Sequence, residues 1–328
     1  MNLQQKSLDY YIKKFQSLRQ GVTKFGPAPH KAVLLLSVIR AIESGFINSN
    51  YISVSPMLVS LFKTTWNNLV DSQHVATFAL PFFHLKSEGF WHLHVNSGFE
   101  NWLRATKSLS SFNQLQIAVS HASLDGELFL FMNSPKSRNM LKQVLLETYF
   151  SKVVYNWSQL DSGDSYYDDI SELIIREEPA EYVANMKRLE STLDKEEFSE
   201  EVFIRSGAFK REISRAYNNT CCISGLRIDA TMEVSMIDAC HIIPFSESHD
   251  DTISNGLALC PTLHLAFDRH LISIDDDYRV AIAKSFIERC DSPYSIKQFE
   301  GKHIQLPSES NLYPSLANLH EHSRKLIG

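Results

Sequence analysis

No stretch of this 328-residue chain comes near the roughly 20 consecutive apolar residues that a membrane-spanning helix needs. The opening MNLQQKSLDYYIKKF also lacks the apolar centre of a secretory signal. The expectation is a cytoplasmic protein without membrane contact. Cysteine is scarce: Cys221, Cys222, Cys240, Cys260 and Cys290 make an odd number, all in the last third. That excludes a disulfide framework and suits reduced thiols. There is no internal repeat, which excludes solenoids and propellers. Positive charge is not in excess either, with 32 Lys and Arg against 38 Asp and Glu, a balance that at face value speaks against a nucleic-acid partner.

What is present is an ordinary globular composition, 44% apolar and 21% charged, at a length that accommodates two domains. The charge is unevenly spread. Residues 1–110 carry eleven Lys and Arg against five acids, whereas residues 159–203 carry fourteen acids against four basic residues. The first part can therefore bind phosphate whatever the total says, although a randomly charged, solvated face would look the same.

Helical spacing in PHKAVLLLSVIRAIESG, with prolines before it and Gly45 after it, predicts a helix from near Pro29. SPMLVSLFKTTWNNLV predicts another, with Ser55 as N-cap and Pro56 at its first position. LPFFHLKSEGFWHLHV reads as two aromatic-rich strands around a Ser-Glu-Gly turn, a hairpin. SFNQLQIAVSHASL and SRNMLKQVLLETYF read as helices closing a first domain near residue 150. Residues 151–203 read as an acidic, partly helical linker with little to build a core from. Residues 204–328 then run helix, turn, a strand holding His241, a Gly-containing loop, a helix, and a strand-turn-strand at LISIDDDYRVAIA.

Within that last segment His241, Asn255 and His264 follow one another at separations of 14 and 9 positions, on a strand, a loop and a helix. Singly, each has an ordinary structural explanation: a hydrogen-bonded strand histidine, an Asn-Gly turn, a helix-face histidine. Together they match the ββα-metal pattern known as the HNH motif, and CCISGLRIDATMEVSMIDACHIIPFSESHDDTISNGLALCPTLHLAFDRHLISID resembles the HNH subclass of bacterial restriction enzymes over roughly residues 205–315. The chemistry needs these residue types. His241 can take a proton from water near neutral pH, and a divalent metal can offset phosphate charge. His264 and Asp268, four apart on one helix face, can share that ion. Asp238 and Cys240 share the opposite face of the strand from His241, and one of them should reach the metal. The resemblance puts an acid where Cys240 stands. Asp238 is the expected third ligand, favouring magnesium or manganese; Cys240 would favour zinc-like metals, with cobalt and nickel also admissible. Asn255 is expected to hold the loop and orient His241, so that its loss slows chemistry and spares the fold. Paired Cys-x-x-Cys units of a structural zinc site are missing, since Ser224 stands where Cys221 would need a partner. No organic cofactor is implied.

His30 and Lys31 fall in the first turn of their predicted helix, where free N–H groups and the dipole favour an anion; a capped core helix with solvated side chains fits equally. PAPHKAVLLL, SPMLVSLFKTTW and LPFFHLKSEGFWHL together resemble the sulfur-binding domain of phosphorothioate-DNA-dependent, type IV restriction endonucleases, over about residues 1–150. That resemblance implies a pocket with Pro81 in its wall, Leu80, Phe82 and His84 nearby, and His30 and Lys31 on the modified phosphate. Lys24 and Arg104 are further candidate DNA contacts by position and charge.

The fold expected is therefore α+β: a helical, winged-helix-like DNA-reading domain with a hairpin (1–150), the linker (151–203), and an HNH nuclease domain with a C-terminal helix (204–328). The expected function is cleavage of phosphorothioated double-stranded DNA with one divalent metal per site, in defence against foreign DNA, by a homodimer because one HNH site cuts one strand. The alternatives are an HNH nuclease reading methylated or particular bases, and a DNA-binding regulator with a vestigial nuclease site.

Overall fold

In the computed structural model, residues 6–151, 166–228, 235–289 and 292–326 are described. The protein is α+β, with helices and short antiparallel strand pairs. It divides into two compact units: Met1–Asp168 with Leu193–Ile204, and Asp169–Thr192 with Arg205–Gly328. These boundaries differ from the three-part division read from the sequence. No described helix is long and apolar enough to cross a membrane.

The first unit is built around the helix His30–Glu43, buried on nearly every side, as its run of Val, Leu and Ile requires. Pro56–Leu69 packs beside it, starting where expected: the Ser55 side chain accepts the N–H of Leu58, and Pro56 occupies the first turn. The hairpin reading is overturned. Leu80 to His84 lie in the helix Ala79–His84, followed by a 3₁₀ turn at Leu85–Glu88 and a left-handed Gly89 with φ +82°. Ala79, Pro81, Phe82 and Phe83 are all buried, a consecutive pattern that a two-faced strand cannot satisfy. Aromatic β-propensity gave way to burial.

Only Trp91–Val95 is a strand, and its antiparallel partner is Val119–Leu124. That partner is the second half of SFNQLQIAVSHASL, expected to be wholly helical. Ser111 caps a helix that runs only from Phe112 to Ala118; beyond it Val119, Ala122 and Leu124 are buried against the strand.

The acidic stretch is more than a tether. Part of it, 152–165, lies outside the described residues, but Tyr166–Arg176, Pro179–Thr192 and Lys195–Ala216 are helices. They bury Ile170, Ile174, Tyr182 and Met186. Several acids have fixed duties in the first unit. Glu196 accepts the N–H of Phe112 at 2.6 Å and Glu200 that of Phe78 at 2.8 Å, each at the start of a helix; burial pushes the Glu200 carboxyl up to about 8. Glu201, 2% exposed, meets Lys63 and the Tyr166 hydroxyl.

In the second unit Asp238–His241 pairs antiparallel with Gly256–Leu259, so that His241 lies opposite Gly256, and the helix Pro261–Asp268 follows. The strand pair Ile272–Ile274 and Val280–Ile282 and the helix Leu316–Ser323 complete it. Two elements meet closely at Gly256: a Cβ there would lie 2.2 Å from Ile213 Cδ1 and 2.9 Å from Phe209 Cε2. Gly256→Val is expected to lower stability by about 1–3 kcal/mol through overpacking, read as a drop in the urea midpoint. An unchanged midpoint would mean that Ile213 and Phe209 simply move aside.

Candidate functional site

Strand register and loop geometry together set the position of His241. Its Nε2 lies 2.8 Å from Asp251 Oδ1, and Asp251 is buried, 1% exposed, with the Tyr182 hydroxyl 3.5 Å from its other oxygen. The Phe209 ring stacks on the imidazole at 4.1 Å and 11°. A carboxylate accepts, so Nε2 carries the proton and Nδ1 is left with the lone pair. Asp251 and Phe209 were missed from sequence; a second acid in HDD and a phenylalanine 32 positions upstream carry no spacing signal.

Asn255 is fully buried and binds backbone. Its amide donates to the carbonyls of Ile243 and Asp250, both at 2.9 Å, and its oxygen accepts the Ile243 N–H at 2.9 Å and the Asn318 amide at 3.0 Å. These bonds bring the segment after the strand Asp238–His241 back onto the loop before Gly256. The expected orienting contact with His241 falls to Asp251 and Phe209.

His264 has a carboxylate at each ring nitrogen, Asp238 Oδ2 3.3 Å from Nδ1 and Asp268 Oδ2 3.4 Å from Nε2. Cys240 Sγ lies 3.7 Å from Asp268 Oδ1, and one ligand atom each from Cys240, His264 and Asp268 falls within 4.8 Å of the others. Asp238 is thus on the far side of the imidazole from Asp268. Burial pushes the Cys240 thiol well above its ordinary range, and neighbouring Asp268 adds to this. His241, His264 and Asp268 open onto one recess of about 290 Å³, which His270 and His322 also line.

Cys221 and Cys260 are neighbours. A hydrogen bond from Cys260, with help from Ser224, draws the Cys221 thiol down to about 5, and Cys260 rises in turn. Cys221, Cys222, Cys240 and Cys260 are free thiols; Cys290 lies outside the described residues.

His322 is 2% exposed and stacks on Phe267 at 3.7 Å. Burial, reinforced by His270, depresses it to about 4. Because the folded state resists protonation that the unfolded chain accepts near 6.5, stability is fully present above that value and lost as pH falls toward 4. The expected loss is at most about 3 kcal/mol. Urea midpoints across this window test it: His322→Phe should flatten the profile there, and an equally steep decline in that variant would assign the effect to other groups.

The first unit holds a second, separate recess of about 440 Å³. It gathers His30, Lys31, Leu80, Pro81 and His84 of the expected set, and adds Arg19 and Gln20, which no motif marked. Three expected residues are not in its wall. Phe82 is fully buried against Phe78 and Trp91; Lys24 lies over the Phe25 ring at 4.8 Å; Arg104 is exposed on the helix Glu100–Ala105. The Lys31 ammonium is tied to buried Glu88 at 2.5 Å and to Ser87 at 3.0 Å. His30 contacts the Val75 carbonyl at 2.8 Å. Burial lowers both His30 and His84, the latter also through Lys31 and Lys86. The lining surface is mostly apolar, with neutral imidazoles and two cations, Arg19 and the Glu88-paired Lys31.

Residues 221–275 match the HNH endonuclease family, as the sequence pattern implied. No curated protein matches the chain. Among solved structures, the modification-dependent TagI restriction endonuclease is similar at 21% identity over 37% of this chain and 38% of that one, with a TM-score of 0.26. The sulfur-binding domain and SRA domain of ScoMcrA complexed with phosphorothioated DNA is similar at 18% identity over 47% of this chain and 48% of that one, with a TM-score of 0.34. The chain therefore spans less than half the length of either.

Proposed function

We propose that this chain is a metal-dependent DNA endonuclease whose second unit cuts and whose first unit reads a phosphorothioate in the backbone. The observation that carries the cutting activity is the convergence on one recess, within the family-matched segment, of a carboxylate-held histidine with His264 and Asp268, behind which buried Cys240 completes a three-residue donor set.

The donor set fits a divalent ion, one per site. His264 through Nε2 and Asp268 would hold it, with Cys240 as third donor, while Asp238 accepts Nδ1–H and fixes the ring, a role carboxylates commonly take behind metal-bound imidazoles. This revises the expectation that Asp238 is the third ligand. A bound ion supplies a Lewis acid for the charge of the phosphodiester. His241 Nδ1 takes the proton of the attacking water, Asp251 stabilises the imidazolium so formed, and Phe209 keeps the ring in plane. Cys240→Asp should shift the metal preference toward magnesium, because an oxygen replaces a sulfur donor. Cleavage measured across magnesium, manganese, cobalt, nickel and zinc checks this, and an unaltered metal ranking would return the third position to Asp238.

For the first unit, sulfur is larger and less strongly hydrated than oxygen. A recess walled by Leu80 and Pro81, with the neutral imidazoles of His30 and His84 and the Lys31 ammonium at its edge, can favour it. Cytoplasmic defence against foreign DNA and a homodimer that cuts both strands belong to the same reading. The test is cleavage of matched plain, methylated and phosphorothioated duplexes with each metal. Selective cutting of the sulfur-bearing duplex is expected. Equal cutting of all three would remove the proposed reading role, and inactivity of the native chain with every metal would remove the nuclease.

A further inference from the structure

The helix Pro261–Asp268 ends in a left-handed residue, and that residue is His270, with φ +51°. Its N–H bonds to the Phe267 carbonyl at 2.9 Å and that of Leu271 to Ala266 at 3.0 Å, a helix ending for which glycine is the usual choice. A histidine held there carries backbone strain that glycine would not. Its side chain lines the same recess as His241, His264 and Asp268.

Its ring is set by a second histidine. His322 Nε2 lies 3.2 Å from the Phe267 carbonyl and 3.2 Å from His270 Nδ1, and His322 Nδ1 lies 2.8 Å from the Ser273 hydroxyl. A carbonyl oxygen only accepts, so His322 Nε2 carries the hydrogen, and Nδ1 accepts from Ser273. His322 is neutral near pH 7 because burial holds it down, which excludes a second hydrogen on Nδ1. The Nε2–H that faces Phe267 also faces His270 Nδ1, which must therefore be an acceptor. A ring whose Nδ1 accepts carries its hydrogen on Nε2, and His270 Nε2 has no protein partner among the described residues.

We propose that His270 is a further substrate-contacting residue of the nuclease: its Nε2–H donates to a non-bridging oxygen of the phosphodiester in the recess, with His322 as the positioning residue that selects this tautomer. This rests on the nuclease reading above. A fixed N–H donor aimed at phosphate charge in a partly enclosed site acts without reorganisation during the reaction. The strained backbone at position 270 is the counterpart of that placement.

The test uses the full chain, a duplex and metal that support native cleavage, and the variant His270→Gly. Glycine relieves the left-handed position, so the variant should melt at or above the native temperature while kcat falls by about a hundredfold. A variant that melts as expected and cuts with native kcat would overturn the proposal. Nitrogen-15 shifts of the native imidazoles, with the His270 signal assigned by its loss in His270→Gly, give a readout independent of the variant's activity. Protonated Nε2 and bare Nδ1 at His270 are expected, and conversion to a tautomer mixture in His322→Phe. The Nδ1–H form in the native chain, or no change in His322→Phe, would overturn the positioning role. If the native chain cuts no duplex with any metal, the nuclease reading fails and this role with it; if it cuts and only His270→Gly is indifferent, this inference alone fails.

Discussion

His241→Ala is expected to lower the rate of phosphodiester cleavage by about 10²–10⁴-fold, the range over which a positioned general base accelerates proton transfer. The variant also leaves Asp251, 1% exposed, without its imidazole partner. Some stability should go with it, about 1–3 kcal/mol for a buried acceptor left unmatched. His241→Asn separates the two effects, because an asparagine amide can still donate to Asp251 but cannot accept a proton near neutral pH. Single-turnover cleavage and urea melts of both variants decide the matter. The base assignment predicts that both lose cleavage and that only the alanine variant loses stability appreciably. A His241→Asn variant that cuts at the native rate would falsify it.

That experiment bears on how much of the site could be read from residues alone. His241 and His264 were legible because strand and helix periodicities fix which face a residue takes, and because the motif places two such faces a known distance apart along the chain. Asp251 and Phe209 were not, since nothing in a sequence records that a loop carboxylate folds back on a strand or that a distant helix stacks a ring there. The third donor shows the same limit. Alternation correctly put Asp238 and Cys240 on one face, yet only the ring orientation of His264 separates the nitrogen facing Asp238 from the one facing Asp268. In the first unit the helices with capping signals, at Ser55 and before His30, stand where propensity puts them. LPFFHL does not, because burial of Pro81, Phe82 and Phe83 in succession overrides the β-propensity of its aromatics. Its helical turn nevertheless brings Leu80, Pro81 and His84 to the same recess as His30 and Lys31. The resemblance thus named residues that share one recess, while the local structure read for them was wrong. The acidic run misled for a related reason: composition counts Glu196 and Glu200 as solvated charge, whereas each accepts a backbone N–H at a helix start.

Asn255 separates a residue that touches the reacting groups from one that builds the place where they sit. The motif alone suggested that its loss would slow chemistry and spare the fold. The side chain is wholly buried and makes four hydrogen bonds, three of them to the backbone of Ile243 and Asp250. Asn255→Ala leaves those groups unmatched in a dry interior, at about 1–3 kcal/mol each before water or relaxation recovers part of it. A net loss of about 3–5 kcal/mol is expected, a large share of the roughly 5–15 kcal/mol that holds a typical domain together. Asn255→Asp should be no milder, since a carboxylate would face the Ile243 and Asp250 carbonyls that the amide now donates to. The urea midpoint should fall sharply in both variants. Cleavage should fall as well, because the Ile242 N–H bonds to the Asn255 carbonyl next to the base strand and Asp251 follows directly on the Asp250 carbonyl that the amide holds. Asn318→Ala provides the control: it removes one bond at the edge of this network and leaves the backbone ties intact. Its effect should be about 1 kcal/mol with little change in rate. If Asn255→Ala melted like the native chain while losing cleavage, the amide would have to act on His241 or on substrate directly, and the backbone-tying role argued from its four bonds would be wrong.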